Sequence, residues 1–181
     1  AFVALLCMAL AAPAAAQQRA NNIAADLVAE NAPVAGDTLT VALHFRPAPS
    51  WHGYWSNPGD AGLGMRLDWH LPQGWQAGEP QYPVPQQLVL AGLMNHVFEG
   101  EYAVLVPITV PAGKTTNGPP ITLSANWLAC TDQICVPEQA ELTMPAPAPA
   151  TPPPARGGRR PWWTALLAKV LDPWIELRIE P

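Results

Sequence analysis

The chain has 181 residues, of which 13% are charged and 49% hydrophobic, with a net charge of −5 and eight tryptophans. That length suits one domain with a real core plus tails. The charge balance offers no basic patch, which excludes nucleic acid as a partner class, and the apolar content argues against disorder along the whole chain. The 23 prolines fall in clusters that mark where regular structure stops.

Residues 1–16 read as the apolar part of a secretory signal, ending in Ala14-Ala15-Ala16 before Gln17-Gln18. The run is too short to span a bilayer. It lacks an initiating Met and a basic start, so the chain is expected to be cut at its front. Cys7 lies inside it, after Leu6, which is too large for a lipoprotein site, and is expected to be removed with the segment. Export places the remainder in an oxidising compartment, where disulfides persist.

Residues 17–145 carry short alternating runs. Leu39, Val41, Leu43 and Phe45 share one face of the first, which puts His44 on the wet face. An aromatic strand follows at Trp51-His52-Gly53-Tyr54-Trp55, ended by Asn57-Pro58-Gly59-Asp60. Met65, Leu67, Trp69 and Leu71 alternate with polar residues before a turn at Pro72-Gln73-Gly74. Residues 77–87, rich in Pro and Gly, read as a long surface connection. Next comes the segment Leu93 to Gly100 and a strand from Tyr102 to Val110. A loop over 111–120 leads to a strand with Ile121, Leu123, Ala125 and Trp127 on one face. After Cys135, Ala140, Leu142 and Met144 alternate again. Seven or eight short strands with turn signals and no convincing helix predict an all-β, antiparallel β-sandwich. Residues 146–160 form a stiff Pro/Ala/Arg-rich linker. Residues 161–181 hold one short expected helix, Trp162 to Leu171, as an interfacial element or the stub of a longer protein.

The residues with chemistry are Cys130 and Cys135, with four residues between them at the end of an apolar strand. A six-residue ring of this kind contributes about 2 kcal/mol as a staple, which is modest. As a pair that toggles between dithiol and disulfide it is well placed. Zinc is disfavoured because no second pair of ligands matches. Asp132, inside the ring, would oppose formation of a thiolate, or is a solvated turn residue.

The ordered pieces Gly53-Tyr54-Trp55, Leu71-Pro72-Gln73-Gly74, Val97-Phe98-Glu99-Gly100, Leu105-Val106-Pro107 and Cys130…Cys135-Val136-Pro137 resemble the N-terminal periplasmic domain of the DsbD thiol:disulfide interchange proteins. The tryptophan-rich character is closer to the ScsB copper-sensitivity-suppressor branch. The resemblance spans about residues 21–144. It implies an immunoglobulin-like sandwich that takes electrons from a thioredoxin-like domain and passes them to periplasmic partners such as disulfide isomerase-like proteins. It also implies a place within a larger protein of the inner membrane. On this resemblance Cys130 and Cys135 are the redox pair, with Cys135 forming the mixed disulfide. The segment Asn95, His96, Phe98 and Glu99 is a cap loop with Phe98 as its shield, and Tyr54 and Trp55 are pocket walls. Two departures stand out: one residue fewer between the cysteines, and Asn95-His96 where the family carries acidic residues.

No metal or other cofactor is needed. Passing two electrons from a potential near −270 mV to one near −180 mV releases about 4 kcal/mol. Three other readings stay open on the sequence. Trp51, Tyr54, Trp55 and Trp75 could form an aromatic platform for a ligand such as a glycan. Cys130, Cys135, Met94 and His96 could hold Cu(I). The disulfide could be purely structural.

Overall fold

The computed structural model describes residues 20–113 and 120–144. The expected secretory segment, Pro/Ala linker and tail helix lie outside them. Among the described residues the chain forms ten strands: β1 (Ile23–Ala29), β2 (Thr38–Pro47), β3 (Gly53–Gly59), β4 (Arg66–His70), β5 (Gln76–Ala77), β6 (Gln86–Leu90), β7 (Leu93–Phe98), β8 (Tyr102–Thr109), β9 (Ile121–Cys130) and β10 (Cys135–Met144). All pairings are antiparallel. They make sheets in the orders β1-β2-β8-β5, β10-β9-β4 and β3-β7-β6, an immunoglobulin-like β-sandwich.

The two-residue periodicity builds the core. Leu39, Val41, Leu43 and Phe45 from β2, Val104, Val106 and Ile108 from β8, and Leu123, Ala125, Trp127 and Ala129 from β9 are buried together. Burying residues of this size is the main favourable term in folding. A row of rings crosses this core: Phe98 stacks on Tyr102 at 4.3 Å, Tyr102 on Phe45 at 5.0 Å, and Phe45 meets Trp127 edge-on at 5.4 Å. Gly53 allows β3 to pass this row, since a Cβ there would lie 2.4 Å from Tyr102 Oη.

Three sequence expectations need correction. His44 is on the face opposite Phe45, as expected, but it is 8% exposed rather than solvated. Polar side chains cover it: Arg46, on the same strand, donates from Nη1 to His44 Nδ1 at 3.0 Å, Nε2 bonds the carboxylate of Glu101 just before β8, and Arg46 also pairs with Asp26 of β1 at 2.6 Å. The segment 77–87 lies at the surface, as expected, but its first half is not a free connection. It runs along β8, with Gly78 N–H donating to Pro107 O and Gln81 exchanging both backbone bonds with Leu105. Pro80, Pro83 and Pro85 lack the N–H donors for a continuous ladder, so the pairing is intermittent and leaves no alternating signature. Finally, the cap loop from Asn95 onward is a strand up to Phe98. β6 and β7 form a hairpin closed by Ala91 (φ 50°) and Gly92 (φ 84°), the positive-φ pair of a type I′ turn.

Candidate redox site

The register of the β9–β10 hairpin places Cys130 directly opposite Cys135. Their Cα atoms are 4.1 Å apart and the sulfurs are bonded. The ring is closed by Thr131 N–H donating to Ile134 O at 2.8 Å, and Thr131 Oγ1 accepts from the backbone N–H groups of Gln133 and Ile134. Side-chain parity then decides where the disulfide lies. Odd-numbered residues of β9 face the main core, so Cys130 points to the other face. There it joins a second apolar cluster with Tyr54 and Val97, on which Leu88 and Leu128 pack. The two sulfurs have unequal surroundings: Cys130 is 1% exposed, while Cys135 is exposed.

β3 and β7 supply the cover. Tyr54 pairs with Val97 across them, and both side chains come down on Cys130. Gly62, with φ 90°, lies against the Tyr54 ring, where a Cβ would meet the ring at 2.2 Å. Burial raises the Tyr54 hydroxyl pKa above its ordinary value.

Alternation separates the remaining expected residues. Trp55 and Phe98 occupy the opposite faces of their strands from Tyr54 and Val97. Trp55 meets His96 edge-on at 5.4 Å, and His96 Nδ1 bonds Asn57 O at 3.0 Å. Phe98 stacks in the main core, and it is Val97 from β7 that contacts the cluster around Cys130. Asn95 is buried and donates to Leu93 O and Leu88 O within the β6–β7 hairpin. Met94 and His96 share a face of β7 that Val97 does not, so these residues are not gathered with the cysteines into a Cu(I) ligand set. Among the described residues no group of three or more His, Cys, Asp or Glu side chains could hold a metal. Of the proposed aromatic platform, Tyr54 and Trp75 are buried, and Trp51 and Trp55 pack partly against the core.

A cleft of about 470 Å³ opens beside the ring. Thr131, Asp132 and Gln133 form one wall, Glu99 another, and Ser50, Trp51 and His52 the third. A turn aims the third wall: Trp51 N–H donates to Ala48 O, Pro49 fills the second position, and Ser50 takes φ 69°. That is the type II pattern, and Ser50 holds the strained position usually given to Gly. The turn delivers His52 to the free edge of β9, where His52 and Cys130 exchange both backbone bonds, at 2.8 and 3.0 Å. His52 is 2% exposed, and its Nε2 lies 3.4 Å from Tyr54 Oη. Burial lowers its pKa below the usual value, against the opposing pull of the Glu99 and Asp132 carboxylates. The sequence trace of His52 is parity alone: it stands two residues before Tyr54, on the same side of an aromatic strand.

The family described as "Thiol:disulfide interchange protein DsbD, N-terminal" matches residues 21–147. The chain belongs to that family. The match covers every strand and both cysteines, which makes this a thiol–disulfide exchange domain. Among solved structures, the N-terminal periplasmic domain of ScsB from Proteus mirabilis aligns with a TM-score of 0.54 at 18% identity, over 82% of this chain and 52% of that one. The DsbD N-terminal domain of Neisseria meningitidis in its reduced form aligns with a TM-score of 0.43 at 17% identity, over 66% of this chain and 82% of that one. The likeness to the ScsB domain shows the shared fold, and this chain spans about half of that structure. A glycerol-3-phosphate acyltransferase of Xanthomonas campestris is 40% identical over 77 residues, 41% of this chain but 8% of that protein. So small a share carries no acyltransferase assignment.

Proposed function

We propose that this DsbD-type domain is a periplasmic relay, receiving electrons from a thioredoxin-like domain and reducing disulfides of other thiol proteins, with Cys135 forming the mixed disulfide and Cys130 resolving it. The observation that carries the reading is the asymmetry of the pair. Exchange requires a thiolate to approach a sulfur in line. Cys135, at the mouth of the ring, leaves room for that approach, whereas Cys130 is enclosed by Tyr54 and Val97. The family and the periplasmic ScsB domain of like fold support the compartment and the class of partner. Tethering to the inner membrane is part of the same proposal, since relatives of this type belong to larger proteins.

In this relay Val97 and Tyr54 shield the inner sulfur. Glu99 and Asp132 border the approach, and Phe98 belongs to the main core rather than to the shield. The test is a trapping experiment. Cys130→Ser should accumulate a mixed disulfide with a thioredoxin-like donor through Cys135, and Cys135→Ser should accumulate little. Equal trapping by both variants would reverse or remove the assigned roles. Titration against a glutathione redox buffer separates a relay, which shows a reversible two-electron transition, from a staple that resists reduction until the fold is lost.

A further inference from the structure

His52, Cys130 and Cys135 stand in one row across three neighbouring chain segments. Cys130 is the directly opposed partner of His52 on one side and of Cys135 on the other. Opposed residues of an antiparallel pair project to the same face with Cβ atoms about 5 Å apart. The imidazole therefore flanks the inner sulfur on the side away from Cys135, and His52 is among the residues that line the cleft. We propose that His52 is the proton acceptor for the Cys130 thiol in the step that resolves the mixed disulfide. This rests on the relay reading given above.

The chemistry balances without a further reagent. With Cys135 joined to a partner sulfur, Cys130 Sγ attacks Cys135 Sγ. The Cys135–partner bond breaks, the partner leaves as a thiolate with the electron pair, and the Cys130–Cys135 bond forms. The proton of the Cys130 thiol passes to the His52 imidazole and from there to water in the cleft. The domain loses two electrons and the partner gains them. An enclosed thiol needs such a group, because apolar surroundings disfavour its thiolate and water reaches it poorly. The titratable and charged groups around His52 are Tyr54, Glu99, Asp132 and the two cysteines. Burial keeps the imidazole neutral, and so able to accept, at neutral pH, while the two carboxylates stabilise the imidazolium that forms.

The experiment uses the reduced protein and a nitrothiobenzoate disulfide reagent, followed by stopped-flow absorbance. Attack of Cys135 releases one coloured thiolate in a concentration-dependent phase. Displacement by Cys130 releases the second in a concentration-independent phase. The second phase in the parent should hold a plateau from the ionisation of His52, below 6.5, up to at least the value near 8.5 of a free thiol. At pH 7 His52→Gln should slow that phase about 100-fold, within the range of general-base effects. It should leave the first phase unchanged and converge on the parent above the thiol pKa. A parent rate that climbs tenfold per pH unit from 6.5 to 8.5 would overturn the proposal even if the variant failed to fold. So would a loss in the variant that is the same at every pH. A parent that shows the first phase but never the second would overturn the relay reading itself.

Discussion

Three rungs of one hairpin separate the pair Trp127–Glu138 from the pair Cys130–Cys135, and the two are held by different means. The Glu138 carboxylate is buried on the core face. It accepts from Asn22 N–H and Asn22 Nδ2 on one oxygen, and from Ile23 N–H at 3.1 Å and Trp127 Nε1 at 3.0 Å on the other. It thereby fastens the start of β1 to β10 and orients a ring of the aromatic row. The cysteine pair sits on the opposite face, under a small cover from β3 and β7, with its outer sulfur in reach of solvent. The hairpin is therefore anchored by packing and a fully bonded carboxylate at one end, and at the other its disulfide lies outside the main core.

The sharpest way to break this comparison is to attack the anchored end. Glu138→Ala strands two buried donors, Ile23 N–H and Trp127 Nε1, each worth about 1–3 kcal/mol, and Phe98→Ala empties a core position at a cost of about 3–5 kcal/mol. Both should lower the urea midpoint strongly, and Phe98→Ala should not raise the rate at which glutathione attacks the disulfide. A fast disulfide with an unchanged midpoint in Phe98→Ala would return the shield to Phe98. The cover should behave differently. Val97→Ala should cost about 2 kcal/mol, from the methyl groups removed, and should speed glutathione attack.

Smaller still is the effect of the covalent bond itself. The double variant Cys130→Ser/Cys135→Ser should lose about 2 kcal/mol and keep the strand signal in circular dichroism. Collapse of that signal would make the disulfide a staple.

The mildest effect concerns pH. Because the folded pKa of His52 lies below its unfolded value, the unfolded chain binds more protons in acid. The contribution of neutral His52 is thus fully present above about 6.5 and is lost as the pH falls through the interval down to the folded pKa. The urea midpoint of the parent should decline over that interval, and that of His52→Gln should decline less.

Much of this was legible in the residues. Alternation in β2, β8 and β9 is a local property of side-chain direction, so the sandwich core could be read without coordinates. The same parity already implied that Cys130 faces away from Trp127, and that Tyr54 and Trp55 could not both line one pocket. Other features left weaker traces. Ala91-Gly92 lacks the Asn-Gly or Asp-Gly signal of a type I′ turn, so the chain carries no local mark of the β6–β7 hairpin. The burial of His44 is not written in its own strand, because Glu101 reaches it only when β2 pairs with β8, and Asp26, which holds Arg46, only when β2 pairs with β1.

The sequence by itself determined the strand class, the close spacing of the two cysteines at the end of an apolar strand, and the family that such an order of motifs belongs to. These follow from spacing along the chain, which folding does not alter. Tertiary structure alone decided that Val97 rather than Phe98 meets the inner sulfur, that Glu138 binds β1 to β10, and that His52 stands beside Cys130. Each of these joins segments from 33 to 116 residues apart, from Val97 with Cys130 to Asn22 with Glu138. The registers that create them are fixed by which apolar faces bury one another, a choice made only when the sheets come together.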